Sequence, residues 1–372
     1  MKIAVVANSA WYLYNFRRRL MQALRDDGHD VVAISPTDAY AQKLQTDGFE
    51  WTEWPLAAAG TNPWRELRAV SDLRLALARG QVDLAFTYTP KANIYAGLAA
   101  RGLPLVHVPN VSGLGRAFIQ RGLLTRLVAG LYRLAFSRAR TVVFQNEDDR
   151  SEFLAAGLVD AERTLRVPGS GVDLERFSAV PLPQGDAPAF LFVGRVLGDK
   201  GVREFVQAAR QVRRSRPDLI FRILGRVGAD NPTAIPPDEV RSWEAEGLVE
   251  MLGMCDDVRP HLARALCVVL PSYGGEGVPR VLLEAAAMAR PCIATNVPGC
   301  RDALVDESTG FLCLPRDSAS LAGAMQRFID AGPAVWARMG AAGRRHVEDH
   351  FDEHRVIETY RGIARRAAGA AT

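Results

Sequence analysis

The chain is poor in the residues from which several kinds of site are built. Cysteine occurs five times, always in the second half (Cys255, Cys267, Cys292, Cys300 and Cys313), and never as a C-x-x-C pair. An odd count at irregular spacing fits free thiols better than disulfides or a zinc site built on these cysteines. No stretch approaches the roughly 18 uninterrupted apolar residues of a membrane-spanning helix. The opening run MKIAVVANSA is too short for a signal h-region and lacks a cleavage pattern. A soluble protein made in the cytoplasm is therefore expected. Charge is nearly balanced: Lys and Arg total 46 against 42 Asp and Glu, and the net +4 does not by itself suggest nucleic acid. Absent too are the phosphate loop G-x-x-x-x-G-K-[ST] and a G-x-G-x-x-G opening the first helix, which weakens ATPase and dehydrogenase readings.

What is present is an ordinary globular balance, 48% hydrophobic and 24% charged, over 372 residues, enough for two domains. Short β-branched runs alternate with amphipathic segments. In the first half Ile3–Ala7, Val31–Ile34, Leu84–Tyr88, Leu105–Val108 and Thr141–Gln145 read as buried parallel strands. Leu13–Asp26, Pro63–Arg79, Ile94–Arg101, Ile119–Ser137 and Glu147–Ala156 read as the intervening helices. The stretch SAVPLPQGDAP at 178–188 has no periodicity and reads as a linker. A second series follows in Ala189–Val193, Leu219–Leu224, Val249–Leu252, Val268–Pro271 and Cys292–Thr295. The expected class is α/β, two Rossmann-like doubly wound domains at 1–178 and 189–350, with ligands at the carboxyl ends of the strands. The tail at 351–372 has helical spacing from Phe351 to Arg366 and is expected to pack back on the first domain.

The most informative stretch is PSYGGEGVPRVLLEAAAMARPCIATNVPG, from Pro271 to Gly299. A strand ends at Pro271, a Gly-rich loop follows, and Pro279 stands where a first helical turn tolerates proline. Glu276 then precedes the helix and Glu284 falls about five residues into it, on the order of 7–8 Å along the axis. Gly277 and Val278 lie between them and offer backbone N–H groups to an anion at the helix start. A sugar–diphosphate–nucleoside suits this spacing, because each carboxylate accepts hydrogen bonds from adjacent hydroxyls at one end of the diphosphate. By themselves two carboxylates eight positions apart equally describe a helix-capping Glu276 and a solvated Glu284. Upstream, Arg195 just past a strand end and Lys200 at the next helix start supply a bidentate donor and a compact charge for phosphate. Taken alone they also describe basic residues near a turn.

These strings together resemble the E-x(7)-E region and the G-R…K-G phosphate motif of family 4 glycosyltransferases, with Gly194, Arg195, Lys200 and Gly201 at the second. The resemblance covers nearly the whole chain. SAWYLYNFRRRLMQALRDDGHDVVAISP and YTPKANIYAGLAARGLPLVHVPNVSGLG are similar to the PglA-type branch, which acts on polyprenyl-diphosphate-linked sugars. It implies the GT-B fold, two Rossmann-like domains facing a central cleft, and a hexosyltransferase that is retaining and needs no metal cofactor. It implies a UDP-sugar donor, with GalNAc or another hexose or HexNAc transferred. Glu276 would position the sugar hydroxyls, Glu284 the ribose, Arg195 with Lys200 the diphosphate, and Gly277, Val278 and Pro279 the backbone around it. Arg195, Lys200 and Glu276 are thus the expected catalytic residues. Gly225, Gly253 and Asp257 match positions near the base and the floor of the donor cleft.

The expected acceptor is an undecaprenyl-diphosphate-linked glycan of bacterial surface polysaccharide or glycan biosynthesis. From Leu84 to Asn146 there is no acidic residue, and Lys91, Arg116, Arg121 and Arg126 accompany Phe118, Leu123, Leu127, Leu131 and Leu134. A helix over 118–137 would be basic on one side and apolar on much of the rest, which suits an anionic bilayer surface as well as a core-packed helix with solvated arginines. Peripheral association with the inner face of the membrane is therefore expected, with Lys91 and Arg116 to Arg126 drawing in the acceptor headgroup. Two departures stand out. The Gly-rich first loop of the family is replaced by Asn8-Ser9-Ala10-Trp11-Tyr12, and the family's histidine is missing near Ser112. His107 lies in the apolar PLVHVP and reads as a core residue, which leaves the donor phosphate to receive the acceptor proton. A nucleotide-sugar epimerase and a non-catalytic sugar-nucleotide-binding subunit stay open as alternatives.

Overall fold

A computed structural model describes residues 1–56, 62–113, 123–183, 189–228 and 231–369. The chain divides into two compact units, Met1–Ser170 with His354–Thr372, and Gly171–Glu353.

The first unit is built on seven parallel strands: β1 (Lys2–Val6), β2 (Asp30–Ser35), β3 (Glu50–Glu53), β4 (Leu84–Tyr88), β5 (Val106–Val111), β6 (Val142–Phe144) and β7 (Thr164–Arg166). Their order is β3-β2-β1-β4-β5-β6-β7, so the winding reverses between β1 and β4. Alternation along β1 shows why the sheet is buried on both faces. Ile3 and Val5 enter one core with Leu13, Leu20 and Leu24, while Ala4 and Val6 enter another with Leu73, Leu77 and Phe136. The last helix, Glu353–Ala368, joins the first of these cores through Val356, Ile357, Tyr360, Ile363 and Ala364.

The second unit carries β8 (Ala189–Val193), β9 (Ile220–Leu224), β10 (Glu250–Gly253), β11 (Cys267–Leu270), β12 (Cys292–Thr295) and β13 (Gly310–Cys313) in the order β10-β9-β8-β11-β12-β13. Its reversal lies between β8 and β11, which pair in parallel through Val268 and Leu191. Three strands escape the sequence pattern: β3, β7 and β13. EWTE and TLR are short and largely polar, and the four-residue GFLC is too brief to display a period of two.

The division at 170/171 falls eight residues before the expected boundary at 178. Phe177 is buried in the core of the second unit, and the Arg344 guanidinium donates to Phe177 O at 2.9 Å and Ala287 O at 2.8 Å. Gly171 has φ +70, and a Cβ there would stand 2.5 Å from Glu353 Cα. Part of the expected linker is also docked. The fully buried Arg290 donates to Val180 O and, at 2.5 Å, to Pro181 O, and burial lowers its pKa to about 10. Such a cation is tolerated inside because carbonyls surround it.

Candidate functional site

The reversal between β8 and β11 sends two loops out side by side at the carboxyl edge of the second sheet. One follows β8 and carries Gly194, Arg195 and a single 3-10 turn, Gly198–Lys200, before the helix Val202–Val212. The other follows β11 and runs from Pro271 to Pro279, which caps the helix Arg280–Ala287. Glycines let the backbones touch. Gly201 has φ +73, and a Cβ on it would lie 2.1 Å from Pro271 O. Gly299, beyond β12, has φ +77, and its Cβ would fall 1.4 Å from Gly277 O. No other residue fits either place without displacing the loop that holds Glu276.

Hydrogen bonds then lock the two loops. Tyr273 N donates to Asp199 O at 3.0 Å, and the buried Thr295 hydroxyl donates to Ser272 O. Ser272 Oγ lies 2.6 Å from Glu276 Oε1 and 3.2 Å from Asp199 O, and its one proton serves the carboxylate at the shorter distance. Lys200 Nζ donates to the same Glu276 Oε1, the two side chains being 19% and 15% exposed. Burial alone would push the Glu276 carboxyl up. The Lys200 charge and hydrogen bond, the Ser272 hydrogen bond and the Arg195 charge outweigh it and hold the carboxyl below its ordinary range. Glu276 is therefore an ionised acceptor aimed by two donors. Arg195 is exposed, and its guanidinium makes no hydrogen bond or ion pair among the described residues, although its carbonyl accepts from Leu197 N at 2.8 Å.

Glu284 occupies the fifth position of the helix Arg280–Ala287, and its Oε1 accepts from Arg280 Nε at 2.9 Å. Burial pushes its carboxyl above the ordinary range against the charges of Arg280 and Arg176, and the Glu353 carboxylate adds to the rise. Val278 is buried, so its side chain serves the core. Gly225, at the end of β9, accepts no side chain, since a Cβ would sit 1.8 Å from Gly194 O. Its N–H donates to Gly253 O at 2.8 Å. Asp257 is engaged by Arg259, with Nε 2.8 Å from Oδ1 and Nη2 2.7 Å from Oδ2, and that hydrogen bonding lowers its pKa. Sequence pattern assigns no role to three further residues beside these. Arg280 is legible in retrospect as an i,i+4 partner of Glu284. Ser272 stands in the quoted P-S-Y without an assigned role, and Arg176, whose charge reaches Glu284 and Asp257, has no local signal at all.

In the first unit Lys91 places its ammonium 3.0 and 3.2 Å from the two oxygens of Glu66, which also accepts from Tyr95 Oη, so its charge is answered locally. Arg126 is exposed on the helix Leu123–Phe136. Arg116 and Arg121 lie outside the described residues. His107 is buried in β5 with Nε2 3.0 Å from Thr87 Oγ1, and burial lowers its pKa to about 3. No group of three His, Cys, Asp or Glu side chains converges as metal ligands among the described residues.

The two units, with parallel sheets of seven and six strands, have the GT-B fold seen in solved glycosyltransferases. The chain belongs to that family: a model of glycosyl transferases group 1 matches residues 187–331, and one of the glycosyl transferase 4-like domain matches residues 15–170. Among its relatives, the N,N'-diacetylbacillosaminyl-diphospho-undecaprenol alpha-1,3-N-acetylgalactosaminyltransferase of Campylobacter jejuni is 26% identical over 86% of this chain and 87% of its own. The Escherichia coli UDP-Gal:alpha-D-GlcNAc-diphosphoundecaprenol alpha-1,3-galactosyltransferase is 27% identical over 72% and 71%. In structure, Anabaena Alr3699/HepE in complex with UDP-glucose superposes with a TM-score of 0.81 at 18% identity, over 98% of this chain and all (100%) of that one.

Proposed function

We propose that this glycosyltransferase takes its sugar from a UDP-sugar, without a metal ion and with retention of configuration, and adds it to an undecaprenyl-diphosphate-linked glycan. The observation that carries the reading is the Lys200–Glu276 pair, with Arg195 unpaired beside it at the start of two helices. An ionised carboxylate whose present partners are an ammonium and a hydroxyl exchanges readily to sugar hydroxyls once a diphosphate engages the ammonium. Lys200 and Arg195 then stand where charge builds on the departing UDP, the service a divalent ion performs elsewhere. Glu284, raised in pKa and already held by Arg280, is oriented to accept from a ribose hydroxyl with its second oxygen. Retention follows if the acceptor attacks the face the UDP leaves, its proton passing to the donor phosphate; the buried neutral His107 has no part in that transfer.

The two relatives named for diphospho-undecaprenol-linked sugars support the acceptor class, and the N-acetylgalactosaminyl and galactosyl activities in their names make a HexNAc or hexose the first donor to try. Membrane association rests on the helix Leu123–Phe136, where Leu127 and Leu134 are 61% and 45% exposed beside Arg126. No helix among the described residues is long and apolar enough to cross a membrane. The test is transfer from UDP-GalNAc, UDP-Gal, UDP-GlcNAc and UDP-glucose to polyprenyl-diphosphate glycans in the presence of EDTA, with the product anomer read by NMR. An isomerised free nucleotide sugar, a β-linked product or a strict metal requirement would each refute part of the proposal.

A further inference from the structure

The helix Pro63–Arg79 presents a second apolar strip that the donor site does not use. Its buried residues Ala69, Leu73 and Leu77 pack in the core shared with Tyr132, Ala135 and Phe136, and Trp54 Nε1 donates to Ala69 O at 2.8 Å. On the opposite side Trp64 is 81%, Leu67 63% and Leu75 47% exposed, with Ser71 and Ala78 also exposed. At about 100° per residue these five fall within an arc of about 80°. Arginines border the arc: Arg74 on one side, Arg68 and Arg79 on the other, with Arg65 beyond them. The helix has two acidic side chains, and both are answered, Glu66 by Lys91 and Asp72 by Arg68 at 3.8 Å.

This strip stands in one helical layer with the helix Leu123–Phe136. The helix Pro90–Ala99 lies between them, buried at seven of its ten positions. A Cβ on Gly97 would fall 2.5 Å from Ala135 O, so two of the helices meet at backbone contact. Arg74 donates to Ala99 O at 2.8 Å and Arg101 O at 2.6 Å, and Arg101 donates to Leu134 O at 3.2 Å. The layer thus exposes Trp64, Leu67 and Leu75 on one flank and Leu127 and Leu134 on the other.

We infer that the Trp64–Leu67–Leu75 strip is a second membrane contact, which seats this layer on an anionic phospholipid surface along two parallel helices. The inference rests on the membrane reading of the helix Leu123–Phe136 given above. Charge complementarity commits it to lipid: exposed tryptophan and leucine edged by arginines match the interfacial region, where apolar side chains enter the acyl boundary and cations meet phosphate. Two separated strips need a broad, flat partner, which a bilayer supplies.

The test compares the intact protein with Trp64→Ser/Leu67→Ser/Leu75→Ser and with Leu127→Ser/Leu134→Ser, by sedimentation with phosphatidylcholine vesicles with and without phosphatidylglycerol. UDP-induced thermal shift checks that each variant is folded. The expected result is wild-type partition into anionic vesicles and about a tenfold or greater loss in each variant, with the UDP shift intact. If the Trp64 variant partitions like wild type while the Leu127 variant is impaired, this inference fails and the membrane reading stands. If wild type shows no preference for anionic vesicles, the membrane reading itself is lost. A vesicle-free dimer that only the Trp64 variant dissolves would assign the strip to a second copy of the chain and overturn the lipid assignment.

Discussion

Replacing Lys200 by alanine removes the ammonium from Glu276 and leaves that carboxylate with Ser272 as its remaining hydrogen-bond donor and Arg195 as a nearby charge. Breaking a fully buried ion pair from one side costs about 3–5 kcal/mol. Here the partners are 19% and 15% exposed and a second donor stays, so a cost of about 1–2 kcal/mol is expected in stability. The catalytic loss should be larger, because a donor that meets charge only as it develops is typically worth about 10²–10³ in turnover, or about 2.7–4 kcal/mol. Initial rates of sugar transfer, with thermal unfolding alongside, separate the two effects. Lys200→Arg keeps a cation but not its compact form, so it should restore stability more fully than turnover. Glu276→Gln retains the geometry at Ser272 without the charge and should lower turnover with little change in UDP affinity. Wild-type turnover by a folded Lys200→Ala would refute the phosphate assignment, and loss of stability without loss of turnover would make the pair purely structural.

The Glu276 carboxyl is held below its ordinary pKa, so its stabilising contribution is present above the unfolded value and is lost as pH falls through the folded one. Urea unfolding should therefore show wild type and Glu276→Gln converging in stability between neutral pH and acid. Glu284 is raised, so its ionised form costs stability above the unfolded pKa. Glu284→Gln is expected to raise the Tm of the ligand-free protein at neutral pH while weakening the thermal shift from UDP; unchanged UDP binding would remove it from the ribose. His107 falls from 6.5 to about 3 through burial, so the folded state loses stability as pH drops from about 6.5 toward about 3, and His107→Gln should flatten that slope in pH-dependent unfolding. Gly201→Ala would force a Cβ within 2.1 Å of Pro271 O at a left-handed φ, with an expected cost of about 1–3 kcal/mol by denaturant unfolding and a lower transfer rate.

The parts of the site readable in advance are those whose chemistry is written locally. Glu276 and Glu284 straddle Pro279, a helix start that proline itself marks, and Arg195 and Lys200 follow a run of apolar residues that could only be a buried strand. What the spacing could not express is that Lys200 reaches across to Glu276, 76 positions away, because that contact depends on β8 lying beside β11 and on the absence of a side chain at Gly201. Ser272 and Arg176 were hidden for the same reason, acting through neighbours that only the sheet order brings near. Local pattern likewise marked 178–188 as a free connector, since nothing in VPLP reveals that a buried guanidinium from Arg290 holds two of its carbonyls. The same distinction orders the membrane question. The helix near Leu127 announced itself by a tract without acids, whereas the helix at Trp64 carries Glu66 and Asp72 and shows no such bias. Only when those carboxylates are seen paired, with Lys91 and Arg68, do the arginines and the exposed tryptophan emerge as a surface. Net charge along a sequence is thus a poor guide to the charge a helix shows its partner, and the Trp64 variant is the measurement that decides whether this one faces lipid.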